Sequence, residues 1–213
     1  MRITADELSK QAYKKVKKMI VSKKLLPGQK IVQEQLADKL GISRTPLRSA
    51  LQMLEAESLI KSIPRRGVIV REFSATEIIE IYDCRIALES MATRLFTQRA
   101  AQSEIDRLRS LLLPFERGNI DTEAYQRADS EFHKSLIKNC GNEFLYNLFQ
   151  KGNLLVCIDM IGLVRPPQET LEEHLDIVSA VRYRDADLAE NLIKDHLDKS
   201  KQLICKKGQM PFF

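Results

Sequence analysis

The chain has 213 residues, 44% of them hydrophobic and 30% charged, which suits a globular protein of one large or two small domains with a sizeable core. No run of 18 apolar residues offers a membrane-spanning helix, and the charged N-terminal stretch lacks the apolar segment of a signal peptide. The net charge of +5 divides unevenly: residues 1–72 carry 16 Lys and Arg against 7 Asp and Glu, whereas the remainder carries 18 against 22.

A basic block followed by an acidic one predicts two domains with different partners. Double-stranded DNA is the leading candidate for the basic block, because phosphate neutralisation dominates such affinity. A membrane surface is the competitor, since residues 14–24 loosely resemble a basic amphipathic helix. The basic residues continue well beyond that helix, which favours nucleic acid. Cys84, Cys140, Cys157 and Cys205 show no paired spacing and are expected to be reduced thiols of a cytoplasmic protein.

In chain order, Thr4 and Glu7 form a possible capping box for a helix ending near Ser22. Pro27-Gly28 marks a turn. A short helix follows with Val32, Leu36, Ala37 and Leu40 on one side, stopped by Gly41. The stretch GISRTPLRSAL then opens another helix, with Ser43 as N-cap and Pro46 in the first turn. Leu47, Ala50, Leu51 and Leu54 share its apolar face. Thr45, Arg48, Ser49 and Gln52 lie opposite, with Arg44 on the border. Helix, glycine turn and capped helix have the spacing of a helix-turn-helix. An exposed helix start bearing arginines and hydroxyls suits phosphates and base edges, although a merely solvated face would look similar.

Ile60, Ser62, Val68 and Val70 alternate around Pro64-Arg65-Arg66-Gly67, which predicts a β-hairpin with two arginines at its tip. After a helix-turn-helix, that is a wing. At Ser74 the texture changes, and Ser74 with Glu77 forms a capping box. The domain boundary is placed there, giving domains at 1–73 and 74–213. The second domain is expected to be all helical, with helices over 75–100, 103–117, 121–139, 142–163, 168–183 and 185–206.

All three histidines, His133, His174 and His196, fall within apolar stripes of separate helices. Asp129 lies one turn before His133, so their side chains meet. Buried ionisable groups need partners. One Asp and three His would satisfy each other around a divalent transition ion such as zinc or nickel. Satisfied core histidines and a plain Asp129–His133 helix pair are the alternatives. Arg85 shares a stripe with Ile78, Tyr82 and Glu89. It pairs within its helix with Glu89, or it grips a ligand carboxylate or phosphate.

The stretch from LLPGQKIVQEQLADKLGISRTPLRSALQMLEAESLI to KSIPRRGVIV resembles the winged helix of GntR-family bacterial transcription regulators. YDCRIALES, ADSEFHKSL and EEHLDIVSAVRYRDADLAENLIKDH resemble the all-helical sensing domain, FCD, of the FadR-like subgroup. The resemblance covers roughly residues 10–200. It implies a mainly α protein: a winged helix-turn-helix of three helices plus a β-hairpin, then a helical-bundle sensor. It also implies DNA contacts from Arg44, Thr45 and Arg48 with Ser43 at the cap, and a wing tip of Arg66 and Gly67 with Arg65 beside them. Asp129, His133, His174 and His196 would be metal ligands, and Arg85 would hold an effector carboxylate. A homodimer on a palindromic operator, with a small organic acid as effector, is the implied assembly. Many relatives carry arginines in the middle sensor helix, where this chain reads LFQKGNLLVCIDMIGLVR, so a more apolar pocket is expected.

Two other classes stay open. A helical metal hydrolase could use a His₃Asp site with an open position, but the chain has no His-Glu-x-x-His run and no evident extra general base. A pure metal sensor would take the ion itself as its signal.

Overall fold

The structure is a computed structural model that describes residues 4–208. Residues 1–3 and 209–213 of the expected domains lie outside the described residues. The chain separates after Glu72 into two compact units.

The N-terminal unit starts with helix α1, Ala5–Val21. Thr4 accepts from the Glu7 amide at 3.3 Å and the Glu7 carboxylate accepts from the Thr4 amide at 2.8 Å, a complete capping box. Strand β1 is Lys30–Ile31, α2 is Gln33–Leu40 and α3 is Arg44–Ala56. Gly41 closes α2 in the left-handed region, φ +67, where a side chain would be strained. Strands β2, Ile60–Ile63, and β3, Gly67–Val70, form the expected hairpin, with Ile63 opposite Gly67. The hairpin is part of a three-stranded antiparallel sheet, because β1 pairs with the outer side of β3. Leu47, Leu54, Leu59 and Val70 are completely buried and Val16 of α1 joins them, so the apolar stripes of α1 and α3 and one face of the sheet make one small core.

Ser43 stands at the N-cap position of α3 but makes no capping hydrogen bond through its side chain. A cap side chain accepts from the second or third helical amide. The third helical residue is Pro46, which has no N–H. Only the Thr45 amide remains for it, that bond is not made, and Ser43 stays exposed.

The C-terminal unit is helical: α4 Ala75–Arg99, α5 Gln102–Ser110, α6 Thr122–Lys138, α7 Glu143–Lys151, α8 Leu154–Ile161, α9 Pro167–Arg182 and α10 Ala186–Gly208. Helix α4 opens on the Ser74–Glu77 capping box, and α10 lies along it. Phe96, Tyr125, Phe132, Phe149 and Ile177 are among the side chains fully removed from water. The helix expected over 103–117 ends at Ser110 and gives way to a 3-10 turn at Leu113–Phe115, since Pro114 cannot donate to a continuing α-helix. The single helix expected over 142–163 is two, broken at Gly152 and at Asn153, whose φ of 54 is left-handed. Among the described residues no helix is long and apolar enough to cross a membrane.

Candidate metal centre and nucleic-acid interface

Helices α6, α9 and α10 bring Asp129, His133, His174 and His196 together. One donor atom from each lies within 4.8 Å of all the others. The three histidines are buried and Asp129 is nearly so. The Nε2 atoms of His174 and His196 are 3.3 Å apart, and Asp129 Oδ1 is 3.7 Å from His174 Nε2. Two nitrogens bound to one ion at about 2.0–2.1 Å and tetrahedral angles would be roughly 3.4 Å apart, so the spacing fits.

Each imidazole is held by its other nitrogen. His133 Nδ1–H donates to Glu89 Oε2 at 2.7 Å, and His196 Nδ1–H donates to Glu173 Oε2 at 2.7 Å. His174 Nδ1 lies 3.2 Å from the Tyr125 hydroxyl, which is 3.0 Å from Thr170 Oγ1. Such outer hydrogen bonds fix the tautomer that leaves Nε2 free to ligate. Burial pushes the His174 pKa well below its usual value, helped by the neighbouring His196 and His133. Burial also lowers His196, against the upward pull of its bond to Glu173, to about 4. Both rings are therefore neutral at pH 7, the form a metal requires. Three imidazoles and one carboxylate suit a divalent transition ion.

Beside this group is a cavity of about 20 Å³, room for one water-sized body. Arg85 lines it. Its Nε donates to Glu89 Oε1 at 2.6 Å and its guanidinium lies over the Tyr82 ring, 4.9 Å from the centroid. Arg85 thus makes the expected pair within its helix and also faces the cavity. Burial would raise the Glu89 carboxyl, but Arg85 and His133 pull it below the ordinary carboxylate range. Ile158, Leu163, Val164 and Leu197 supply apolar walls. The expectation of a more apolar pocket needs one amendment: Arg165, buried in the coil after α8, also lines the cavity.

Glu89, Glu173, Tyr125 and Arg165 were absent from the site inferred from sequence. Tyr125 shares the stripe of Asp129 and His133, a usable signal. Glu173 is adjacent to His174 but serves His196 on another helix, and only helix packing reveals that.

In the N-terminal unit, Arg44, Thr45, Arg48, Ser49 and Gln52 line one surface groove along α3. Arg44 also forms an exposed ion pair with Glu34 of α2. Arg65, Arg66 and Gly67 are exposed at the hairpin tip.

The comparisons with known proteins agree with this division. Residues 8–70 match the family model described as bacterial regulatory proteins, gntR family, and residues 80–199 match the FCD domain. The chain belongs to the GntR family of bacterial regulators, with an FCD domain. This GntR regulator is 32% identical over 196 residues to an uncharacterized HTH-type transcriptional regulator, YdhC, of Bacillus subtilis (strain 168), covering 88% of this chain and 87% of that protein. It is 32% identical over 182 residues to the Nta operon transcriptional regulator of Aminobacter aminovorans, covering 85% and 87%. It is 25% identical to the HTH-type transcriptional repressor RspR of Escherichia coli (strain K12), covering 92% and 89%. Among solved structures, a GntR regulator from Rhodococcus sp. RHA1 matches with a TM-score of 0.80 at 20% identity, covering 93% of this chain and 97% of that one. E. coli McbR/YncC matches with a TM-score of 0.76 at 21% identity, covering 94% and 98%. These two establish the fold alone. The sequence relatives are named as regulators of transcription, which favours a ligand-responsive DNA-binding regulator over a metal hydrolase.

Proposed function

We propose that this GntR regulator is a cytoplasmic repressor that binds an inverted-repeat operator as a homodimer and lets go when a small carboxylate-bearing effector binds beside a metal ion. Residues 1–73 would be the DNA-binding domain and residues 74–213 the sensor. Asp129, His133, His174 and His196 would hold the ion, zinc or nickel, which when bound offers a Lewis-acidic position to an effector oxygen. The observation that carries the reading is the convergence of four donor atoms in a buried centre whose imidazoles are each oriented from behind.

Thr45 and Arg48 would read base edges in the major groove, with Arg44 and the Ser43 hydroxyl close to the backbone. Arg65 and Arg66, carried by the turn before Gly67, would contact phosphates, as would the lysines of α1. Arg85 would accept the effector carboxylate. The cavity is too small for an organic acid, so binding displaces the coil between α8 and α9. An effector shifts the regulator only by its different affinity for the two states.

Enrichment of random duplexes on the full-length protein tests this reading. It should yield an inverted repeat with half-sites about one turn (~34 Å) apart, released by some small carboxylate only when metal is present. No enriched repeat, with or without metal, would refute it. The water-sized cavity also supports a second reading, in which the ion alone is the signal. Metal titration that changes operator affinity without any organic acid would favour that one.

A further inference from the structure

The three-stranded sheet brings to the hairpin a cation that lies far from it in sequence. Lys30 stands opposite Ile69 in the β1–β3 ladder, and directly opposed residues of an antiparallel pair share one face. Gly67 and Ile69 alternate onto that same face, whereas Val70 is buried in the small core. The backbone before Lys30 is tied down as well: Gly28 N–H donates to the Val70 carbonyl at 3.1 Å, and Val70 N–H donates to the Gln29 carbonyl at 2.9 Å. From this fixed point the Lys30 stem runs to the turn. A Cβ on Gly67 would lie 3.7 Å from Lys30 Cε. The ammonium is one bond further on, so it joins the turn that carries Arg65 and Arg66.

All three cations are exposed, and among the described residues none of them meets a carboxylate. Other cations of the same unit are answered within it, Lys17 by Glu57 and Arg44 by Glu34. Like charges gathered at one turn repel each other, and an anion from outside the chain offsets that repulsion. Duplex phosphates are the anions that a DNA-binding unit meets.

We infer that Lys30 is a third phosphate-contacting residue of the wing, acting with Arg65 and Arg66 on the duplex backbone. This rests on the reading that the hairpin tip lies on DNA. The role is one of positioning: a phosphate contact adds affinity and fixes orientation but carries no base preference. Lys30 therefore acts on any duplex, and it does so through the strand that β1 adds to the hairpin.

Fluorescence anisotropy of the full-length protein with a labelled random-sequence duplex, between about 50 and 200 mM salt, tests the inference. Lys30→Ala should lower the slope of log affinity against log salt by about 0.9 for each head engaged, so that the affinity lost across this range shrinks roughly 3.5-fold. Lys30→Arg, which keeps the charge, should rescue the slope. Lys194→Ala removes the same formal charge from an exposed position on α10 and should leave the slope unchanged. Circular dichroism should show every variant folded, because both lysines are exposed. A Lys30→Ala slope equal to that of the unaltered protein, while Arg66→Ala lowers it, would overturn the role of Lys30 and leave the wing on the phosphates. An equal fall in Lys194→Ala would overturn it too, by making net charge the cause. If neither Lys30→Ala nor Arg66→Ala moves the slope, the wing reading itself fails and the role of Lys30 falls with it.

Discussion

Replacing Glu89 by Gln separates two roles that one side chain performs. Its Oε1 pairs with Arg85 and its Oε2 orients His133, and both contacts are sealed from water, with side-chain exposures of 5% for Arg85, 1% for Glu89 and 2% for His133. Glutamine keeps the shape and one acceptor but removes the charge. Loss of an outer-shell carboxylate typically lowers metal affinity about 10–100-fold, or roughly 1.4–2.7 kcal/mol. The same change orphans the Arg85 guanidinium, and breaking a buried pair from one side costs on the order of 3–5 kcal/mol of folding free energy. The double variant Arg85→Met/Glu89→Gln removes that orphan. It should recover most of the stability yet retain the metal defect. Zinc affinity measured by competition with a chromophoric chelator, and urea unfolding followed by circular dichroism in chelator, read the two effects apart. A folded Glu89→Gln protein with unaltered zinc affinity would refute the orienting role. Return of the double variant to full zinc affinity would refute it as well.

Three further outcomes are expected. His174→Ala should strip the ion, measured as metal content of purified protein, while operator-sized DNA is still bound through α3 and the hairpin; unchanged stoichiometry would remove His174 from the ligand set. Arg48→Ala should cost about 1–3 kcal/mol on the specific site and relax one base position, and an equal loss on scrambled duplex would contradict base reading. Arg66→Ala should weaken binding evenly across sequences and reduce the slope of log affinity against log salt by about 1; an unchanged slope would take the hairpin tip off the phosphates.

Much of the fold could be read from local chemistry. Gly41, Ser43 and Pro46 bracket the turn between α2 and α3 because each has a steric or hydrogen-bonding reason to be there. Strand β1 escaped notice because two residues, Lys30 and Ile31, carry no period, and their pairing is set by distant Ile69 and Val68. The break between α7 and α8 falls at Gln150-Lys151-Gly152-Asn153, between two largely apolar runs, where one helix with a polar turn would read much the same. At the centre, the i, i+4 spacing of Asp129 and His133 and the inward stripes of His174 and His196 were legible. Their convergence and the identity of the groups behind them were not, because those depend on how α4, α6, α9 and α10 pack rather than on any single helix.

The outer partners of the imidazoles also lace the bundle together. Glu89 ties α4 to α6 through His133, Tyr125 ties α6 to α9 through His174, and Glu173 ties α9 to α10 through His196. These seams are made entirely by protein atoms. With no ion bound, His174 could turn its proton toward His196, with the Tyr125 hydroxyl donating to His174 Nδ1 in exchange. Three such protein-made seams would hold the bundle with or without an ion, unlike a zinc finger, which needs its metal to fold.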